Sequence, residues 1–265
     1  MHVRPAAAAG SFYPTNPDRL RDMVQGYLRT AVIPETAVPA PKAIIAPHAG
    51  YVYSGPIAGS AYVHVAPLAA QVQQVVMLSP AHTLAVRGLA ASSAAHFRTP
   101  LGDVPLDQEA VQRTLALNQV EIVDEAHVQE HGLEVHLPFL QETLRNFRLV
   151  PFVVGQTTPE DVQEVLEILW GGQDTLIVIS SDLSHFLNYK QAQQIDRATC
   201  AAIERLEPDA IPQDGACGRR PIQGLLLSAK QRNLSVMTLD LRNSGDTAGS
   251  QDRVVGYGAW GLSEQ

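Results

Sequence analysis

Three histidines stand just past apolar runs in this chain. His48 follows Ala43-Ile44-Ile45-Ala46-Pro47, and His82 follows Val75-Val76-Met77-Leu78-Ser79-Pro80-Ala81. His185 follows Leu176-Ile177-Val178-Ile179-Ser180 by way of Ser181-Asp182-Leu183-Ser184. Each run reads as a buried strand, cut off by proline, serine or glycine, that delivers an imidazole into a turn. Ligands in open α/β sheets gather beyond the carboxyl ends of the strands, so three such ends predict one shared polar pocket. Neutral imidazole is the commonest ligand for divalent first-row metals and is oriented through its second nitrogen. Two histidines and a carboxylate suit non-haem iron in oxygen chemistry, whereas three N/O donors and a water suit zinc hydrolysis.

Carboxylates available to such a site are Glu134, Asp182 and Asp246. Asp182 and His185 are three apart and share a face if their turn is helical. The competing role for Asp182 is a cap for the next helix. His131 and Glu134 repeat that spacing, but no glutamate directly follows the histidine as the zinc signature requires, so a helix-entry network is the alternative. Asn243-Ser244-Gly245-Asp246-Thr247 is a turn by composition and a strand-end carboxylate by position. In Cys217-Gly218-Arg219-Arg220-Pro221 the thiol is either near a site or part of a helix-entry turn. Cys200 reads as an inert packed thiol, and His2, His64, His96 and His127 as surface or hydrogen-bonded histidines.

The elements that must position these residues alternate. Asn16-Pro17-Asp18 opens a helix with Leu20, Met23, Val24 and Tyr27 on one face. A proline-rich loop covers 30–41. Helices are expected over 56–65, 107–117, 159–170, 189–206 and 221–230, with one entered at Glu130 and reaching Asn146. Strands are expected over 43–46, 74–79, 120–123, 148–154, 176–180, 234–241 and 254–260. Strands alternating with helices predict an α/β protein, a single-domain αβα sandwich over 1–265 with a mainly parallel or mixed central sheet.

Composition narrows the classes. The chain has 265 residues, is 45% hydrophobic and carries a formal charge of −8, enough for a large core and against a nucleic-acid groove. No apolar window approaches a membrane span, and the N-terminal alanines are too soon interrupted for a signal peptide. Two cysteines make no disulfide framework, so the cytoplasm is the expected compartment. The phosphate-binding Gly-Lys-Ser/Thr loop and Gly-x-Ser-x-Gly are absent, which speaks against a nucleotide cofactor and a serine hydrolase.

The ordered blocks Arg4-Pro5-Ala6, Ala9-Gly10-Ser11-Phe12-Tyr13-Pro14, Ala46-Pro47-His48-Ala49-Gly50-Tyr51, Ser79-Pro80-Ala81-His82, Glu130-His131-Gly132-Leu133-Glu134-Val135-His136-Leu137-Pro138-Phe139, Ser180-Ser181-Asp182-Leu183-Ser184-His185, Cys217-Gly218-Arg219-Arg220-Pro221-Ile222, Asn243-Ser244-Gly245-Asp246 and Val254-Val255-Gly256-Tyr257 resemble the Memo family nearly end to end. The resemblance implies a fold related to the class III (LigB-type) extradiol ring-cleaving dioxygenases. It implies a divalent metal, iron or copper before zinc, held by His48 and His82. Animal members add a cysteine from the late loop, near Thr247; here that loop has none, and Asp246 is the expected third ligand. His131, Glu134, Asp182 and His185 match positions lining the same cleft and take acid/base or substrate roles, His185 or His131 as general acid/base. AMMECR-type and radical-SAM proteins are the implied partners. Two functions follow as expectations: a metal-dependent oxidoreductase of dioxygenase-like type, or a non-catalytic scaffold that recognises a phosphopeptide or partner through Arg219 and the histidines.

Overall fold

The computed structural model describes residues 2–36 and 39–264; the ends of the expected 1–265 domain, and residues 37 and 38 of the expected 30–41 loop, lie outside the described residues. In chain order the elements are β1 (Val3–Arg4), α1 (Pro17–Arg29), β2 (Ala43–Ala46), α2 (Tyr51–Tyr62), β3 (Gln74–Pro80), β4 (Leu89–Ala91), β5 (His96–Thr99), β6 (Gly102–Pro105) and α3 (Gln108–Thr114). Then come β7 (Val120–Ile122), α4 (Glu125–Val128), α5 (His131–Glu134), α6 (Leu137–Thr143), β8 (Arg148–Val154), α7 (Pro159–Leu169) and β9 (Thr175–Ser180). The chain closes with β10 (His185–Leu187), α8 (Tyr189–Glu204), α9 (Arg219–Gln231), β11 (Ser235–Asn243) and β12 (Val254–Ser263).

The main sheet runs β10-β12-β2-β9-β3-β8-β4-β7, with β11 on β12. Its centre is parallel: β2 pairs β9, β9 pairs β3 and β3 pairs β8. The β12 pairs with β2, β11 and β10, and the β4 pair with β8, are antiparallel, so the sheet is mixed. A small sheet, β1-β5-β6, stands apart. Alternate residues of the central strands go to opposite faces. Ile44, Val75, Met77, Leu176 and Val178 pack under α1, α2 and α6. Ile45, Val76, Leu78, Ile177 and Ile179 pack under α3, α7, α8 and α9. Both faces being covered explains why these strands read as unbroken apolar runs rather than as alternating ones.

Local chemistry fixes the helix starts. Asn16 accepts from the Arg19 amide, Asp107 from Ala110, and Thr158 and Asp161 form a reciprocal capping box. Two expectations needed revision. The helix after β2 begins at Tyr51, not Pro56, because Gly50 caps it directly and the Tyr51 amide bonds the Phe12 carbonyl. The helix expected from Glu130 to Asn146 is two short ones, α5 and α6, since Pro138 has no N–H to extend the first and starts the second instead.

Candidate metal centre

Strands β2, β9 and β3 lie side by side and parallel, with Ala46 level with Ser180, so the turns after them open at one edge of the sheet. The β2 turn delivers His48, which is 2% exposed, with Nδ1 2.6 Å from Ser180 Oγ. The β3 turn delivers His82, whose Nδ1 lies 2.7 Å from Glu130 Oε1 and whose amide donates to Glu130 Oε2 at 2.8 Å. A third imidazole comes from α5: His131 stacks on Phe12 at 4.3 Å and has Nδ1 3.6 Å from Glu130. Ring centroids are 4.9 Å apart for His48 and His82, 5.5 Å for His48 and His131, and 4.5 Å for His82 and His131. Among the described residues, these three histidines bring donor atoms within 4.8 Å of one another and can hold a metal ion. With Nδ1 of His48 and of His82 engaged outward, each presents Nε2 to the shared space, the usual arrangement of a ligating imidazole.

The other expected site residues are placed differently. Asp246, expected as third ligand, is exposed and lies outside this group. One oxygen closes the Asn243 capping box and the other accepts from the Tyr189 hydroxyl at 2.5 Å, so the turn uses up the carboxylate. Glu134 is wholly buried and accepts from Arg4, the Ala7 and Ala8 amides and the Tyr13 hydroxyl, facing the N-terminal segment. Asp182 lies beneath the cleft, with Oδ1 accepting from the His48 amide at 2.8 Å. His185 is solvent-exposed in β10, next to Phe186, whose φ of 60° lies in the left-handed region that bulky residues avoid. Arg219 is turned away to the Ile211 carbonyl (3.1 Å), and Arg220 lines the adjoining groove instead.

Burial sets the electrostatics. It holds the His48 ring well below its ordinary value, helped by the neighbouring histidines, and pushes His131 down to about 4 and His136 to about 3. Burial also acts to raise Glu130, but the His82 ring and the Gly132 and His82 amides outweigh it, leaving the carboxyl below its usual range. Burial pushes Asp182 up to about 7, and, with the Asp182 charge, pushes the Cys217 thiol up to about 12. At neutral pH His48 and His131 are therefore neutral imidazoles with lone pairs available to a cation.

These shifts make stability acid-sensitive. Unfolding returns His48, His127, His131 and His136 to values near 6.5, so below that pH the unfolded chain takes up protons that the folded chain refuses. Asp182 and Asp196, raised to about 7 and about 6 when folded, act in the opposite sense. His64 and His185 are lowered as well, so the depressed rings outnumber the two raised carboxyls, unfolding takes up protons on balance near pH 5, and stability falls as the pH drops. Urea unfolding of metal-free protein across this range should show the midpoint falling with pH; a flat profile would contradict neutral burial of the rings.

An open groove of about 580 Å³ abuts the centre, lined by Pro80, Ala81, Arg87, Cys217 and Arg220 among others. At its inner end Cys217 Sγ lies 3.4 Å from His48 Nε2. A larger cavity, about 1020 Å³, lies by Gln74, Arg148 and Asp174 at the opposite ends of the strands, away from the histidines, so size does not mark the site.

Residues 4–260 match the family model described as Memo-like protein. The chain belongs to the Memo family. A MEMO1 family protein of Sulfolobus acidocaldarius is 32% identical over 96% of this chain and 97% of its own length. One from Aquifex aeolicus is 34% identical over 97% and 98%. In fold, this Memo chain is similar to the uncharacterized protein JW3007 of Escherichia coli K12, at 14% identity and a TM-score of 0.51, covering 81% of this chain and 98% of the other. Among the described residues no helix is long and apolar enough to cross a membrane. Sequence reasoning named neither Glu130 nor Ser180 as a site residue. Glu130 opens the Glu130-to-Phe139 block and Ser180 ends the third histidine-bearing strand, and that adjacency was the available signal.

Proposed function

We propose that this Memo protein binds a divalent metal ion, iron or copper before zinc, through His48, His82 and His131, and is a metal-dependent oxidoreductase of dioxygenase-like type. The observation that supports it is the convergence of three imidazoles at the edge where adjacent parallel strands end, with ligand nitrogens within 4.8 Å. The donor set fits the ion: two rings are oriented through Nδ1 by a hydroxyl and a carboxylate. When bound, the metal supplies a Lewis-acidic and redox-active point for substrate and dioxygen. The chain's own groups do the rest. The groove past Ala81 and Cys217 admits substrate, with Arg220 and Arg87 as donors to an anionic end. His185, at the exposed start of β10 and drawn below its ordinary value chiefly by partial desolvation, takes a proton from a substrate hydroxyl. Asp182 holds or releases a proton near neutrality while fixing the His48 turn.

Elemental analysis after anaerobic loading with Fe(II) or Cu, followed by oxygen-electrode assays with aromatic diols, tests the reading. About one ion per chain and metal-dependent oxygen uptake are expected. A loaded protein with far less metal overturns it. Metal uptake without oxygen consumption moves the function to metal-assisted hydrolysis or to binding. The binding alternative draws on exposed Val52, Tyr53 and Phe186, in segments that follow the site strands. Capture of an AMMECR-type or radical-SAM partner that survives His48→Ala and His82→Ala would favour it.

A further inference from the structure

One buried hydroxyl ties two parts of the centre together. Ser180 Oγ, at the end of β9, has three neighbours: His48 Nδ1 at 2.6 Å, His136 Nε2 at 2.9 Å and the Gly132 carbonyl at 2.6 Å. Ser180 and His136 are buried. A serine hydroxyl has one proton to give and two lone pairs to receive with. The Gly132 carbonyl can only accept, so it takes the proton, and both imidazoles must donate to the oxygen. A second constraint comes from the far side of His136. Its Nδ1 lies 3.0 Å from the Tyr62 hydroxyl, and burial holds that phenol well above its ordinary value, so Tyr62 donates and His136 carries its proton on Nε2. The chain of bonds then has one direction, from Tyr62 through His136 to Ser180 and on to Gly132. His48 is left with its proton on Nδ1 and a bare Nε2.

We propose that Ser180 is the positioning residue of the candidate centre: its hydroxyl fixes the tautomer of His48 and, through the Gly132 carbonyl, the place of His131. The proposal rests on the reading of His48 and His131 as ligands. Gly132 is the common node. Its carbonyl is held by Ser180, which holds His48; its N–H donates at 2.9 Å to Glu130 Oε1, which holds His82. All three rings are thereby referred to one residue. The node has little spare room: a Cβ on Gly132 would lie 2.1 Å from Ser79 Oγ, so any side chain there would have to turn that buried hydroxyl aside. Carbonyl and carboxylate orienters of ligating histidines are widespread; here one hydroxyl orients a ligand ring and anchors the segment bearing another.

Two readouts test this. In metal-free protein, ¹⁵N shifts of the His48 ring should show Nδ1 protonated and Nε2 bare; a wild-type ring protonated on Nε2 overturns the assignment without any variant. Ser180→Ala should shift His48 toward a tautomer mixture and lower affinity for Zn²⁺, measured by chelator competition, by about 10- to 100-fold. His136→Gln, which keeps an N–H directed at Ser180, should stay within about threefold of wild type, as expected of retained hydrogen bonding. If Ser180→Ala folds and keeps both the tautomer and the affinity, Ser180 is not a positioning residue. If wild type shows the Nδ1–H tautomer yet binds no Zn²⁺, the ligand reading fails instead, so the two failures are distinguishable.

Discussion

His48→Ala or His82→Ala should lower affinity for the loaded ion by more than about 100-fold, because losing an orienting partner alone costs 10- to 100-fold and these variants lose the donor atom itself. His131→Ala should fall in the same range, since its ring lies 4.5 Å from His82 and 5.5 Å from His48, centroid to centroid. Glu130→Gln is the graded case. It retains an oxygen for His82 Nδ1 but loses the charge and one of the two acceptors that hold the His82 amide and ring, so about a 10-fold loss is expected. Asp246→Asn is the discriminating control. A two-histidine-one-carboxylate centre built on Asp246 would lose its ion, whereas a three-histidine centre would be unmoved, because that carboxylate is spent on Asn243 and Tyr189. Chelator-competition titration of the five variants and wild type decides between them. Unchanged affinity in His82→Ala would remove the centre altogether.

The contrast between His48 and Asp246 shows what sequence can reveal about this site. His48 and His82 follow apolar runs that are parallel neighbours of β9, and for such strands the rule about carboxyl ends reports true adjacency. The loop bearing Asp246 also follows a strand, but β12 stands between β11 and β2, so the same rule places the carboxylate one strand too far away. Its neighbours Asn243 and Gly245 were the better guide, since Asn-x-Gly-Asp is turn chemistry and the structure uses it as a capping box. His131 reaches the histidine cluster, whereas Glu134, expected beside it, does not. A continuous helix puts His131 and Glu134 on one face, but α5 is a single turn ending before Pro138, so His131 faces the sheet edge while Glu134 turns to the N-terminal segment. Adjacency to His131 and to the end of a histidine-bearing strand was the local sign of Glu130 and Ser180, but their partners lie 48 residues away for His82 and Gly132 and 132 away for His48. Pairings of that kind arise from topology, and no local pattern encodes them. The αβα layering itself was legible, since it needs only alternation of elements and strands apolar on both faces.

Glu134 leads to the second large effect, on stability rather than on binding. Arg4 is 3% exposed and Glu134 wholly buried, and they pair directly. Arg4 also donates through Nε to the His127 carbonyl at 2.8 Å and through Nη2 to the Glu130 carbonyl at 2.6 Å. Arg4→Met should therefore cost about 3–5 kcal/mol, because it strands a buried carboxylate without its cation. Burial and the Glu134 charge hold the Tyr13 hydroxyl far above its ordinary value, so the phenol stays neutral and cannot replace the lost cation. Replacing both partners, as Arg4→Met with Glu134→Leu, should recover much of the loss, since apolar groups of similar volume avoid the desolvation that a lone charge suffers. Urea unfolding of metal-free protein measures both. A single variant within about 1 kcal/mol of wild type, or a double variant worse than the single, would mean the pair is not what pins the N-terminal segment. The same variant carries a second consequence for the centre. With Arg4 gone the Glu130 carbonyl loses a charged donor, so the residue that orients His82 is less well held, and metal affinity should fall in Arg4→Met even where the protein remains folded. That links the fourth residue of the chain to a centre built from strand ends far along it, through Glu130 rather than through any contact with the ligands themselves.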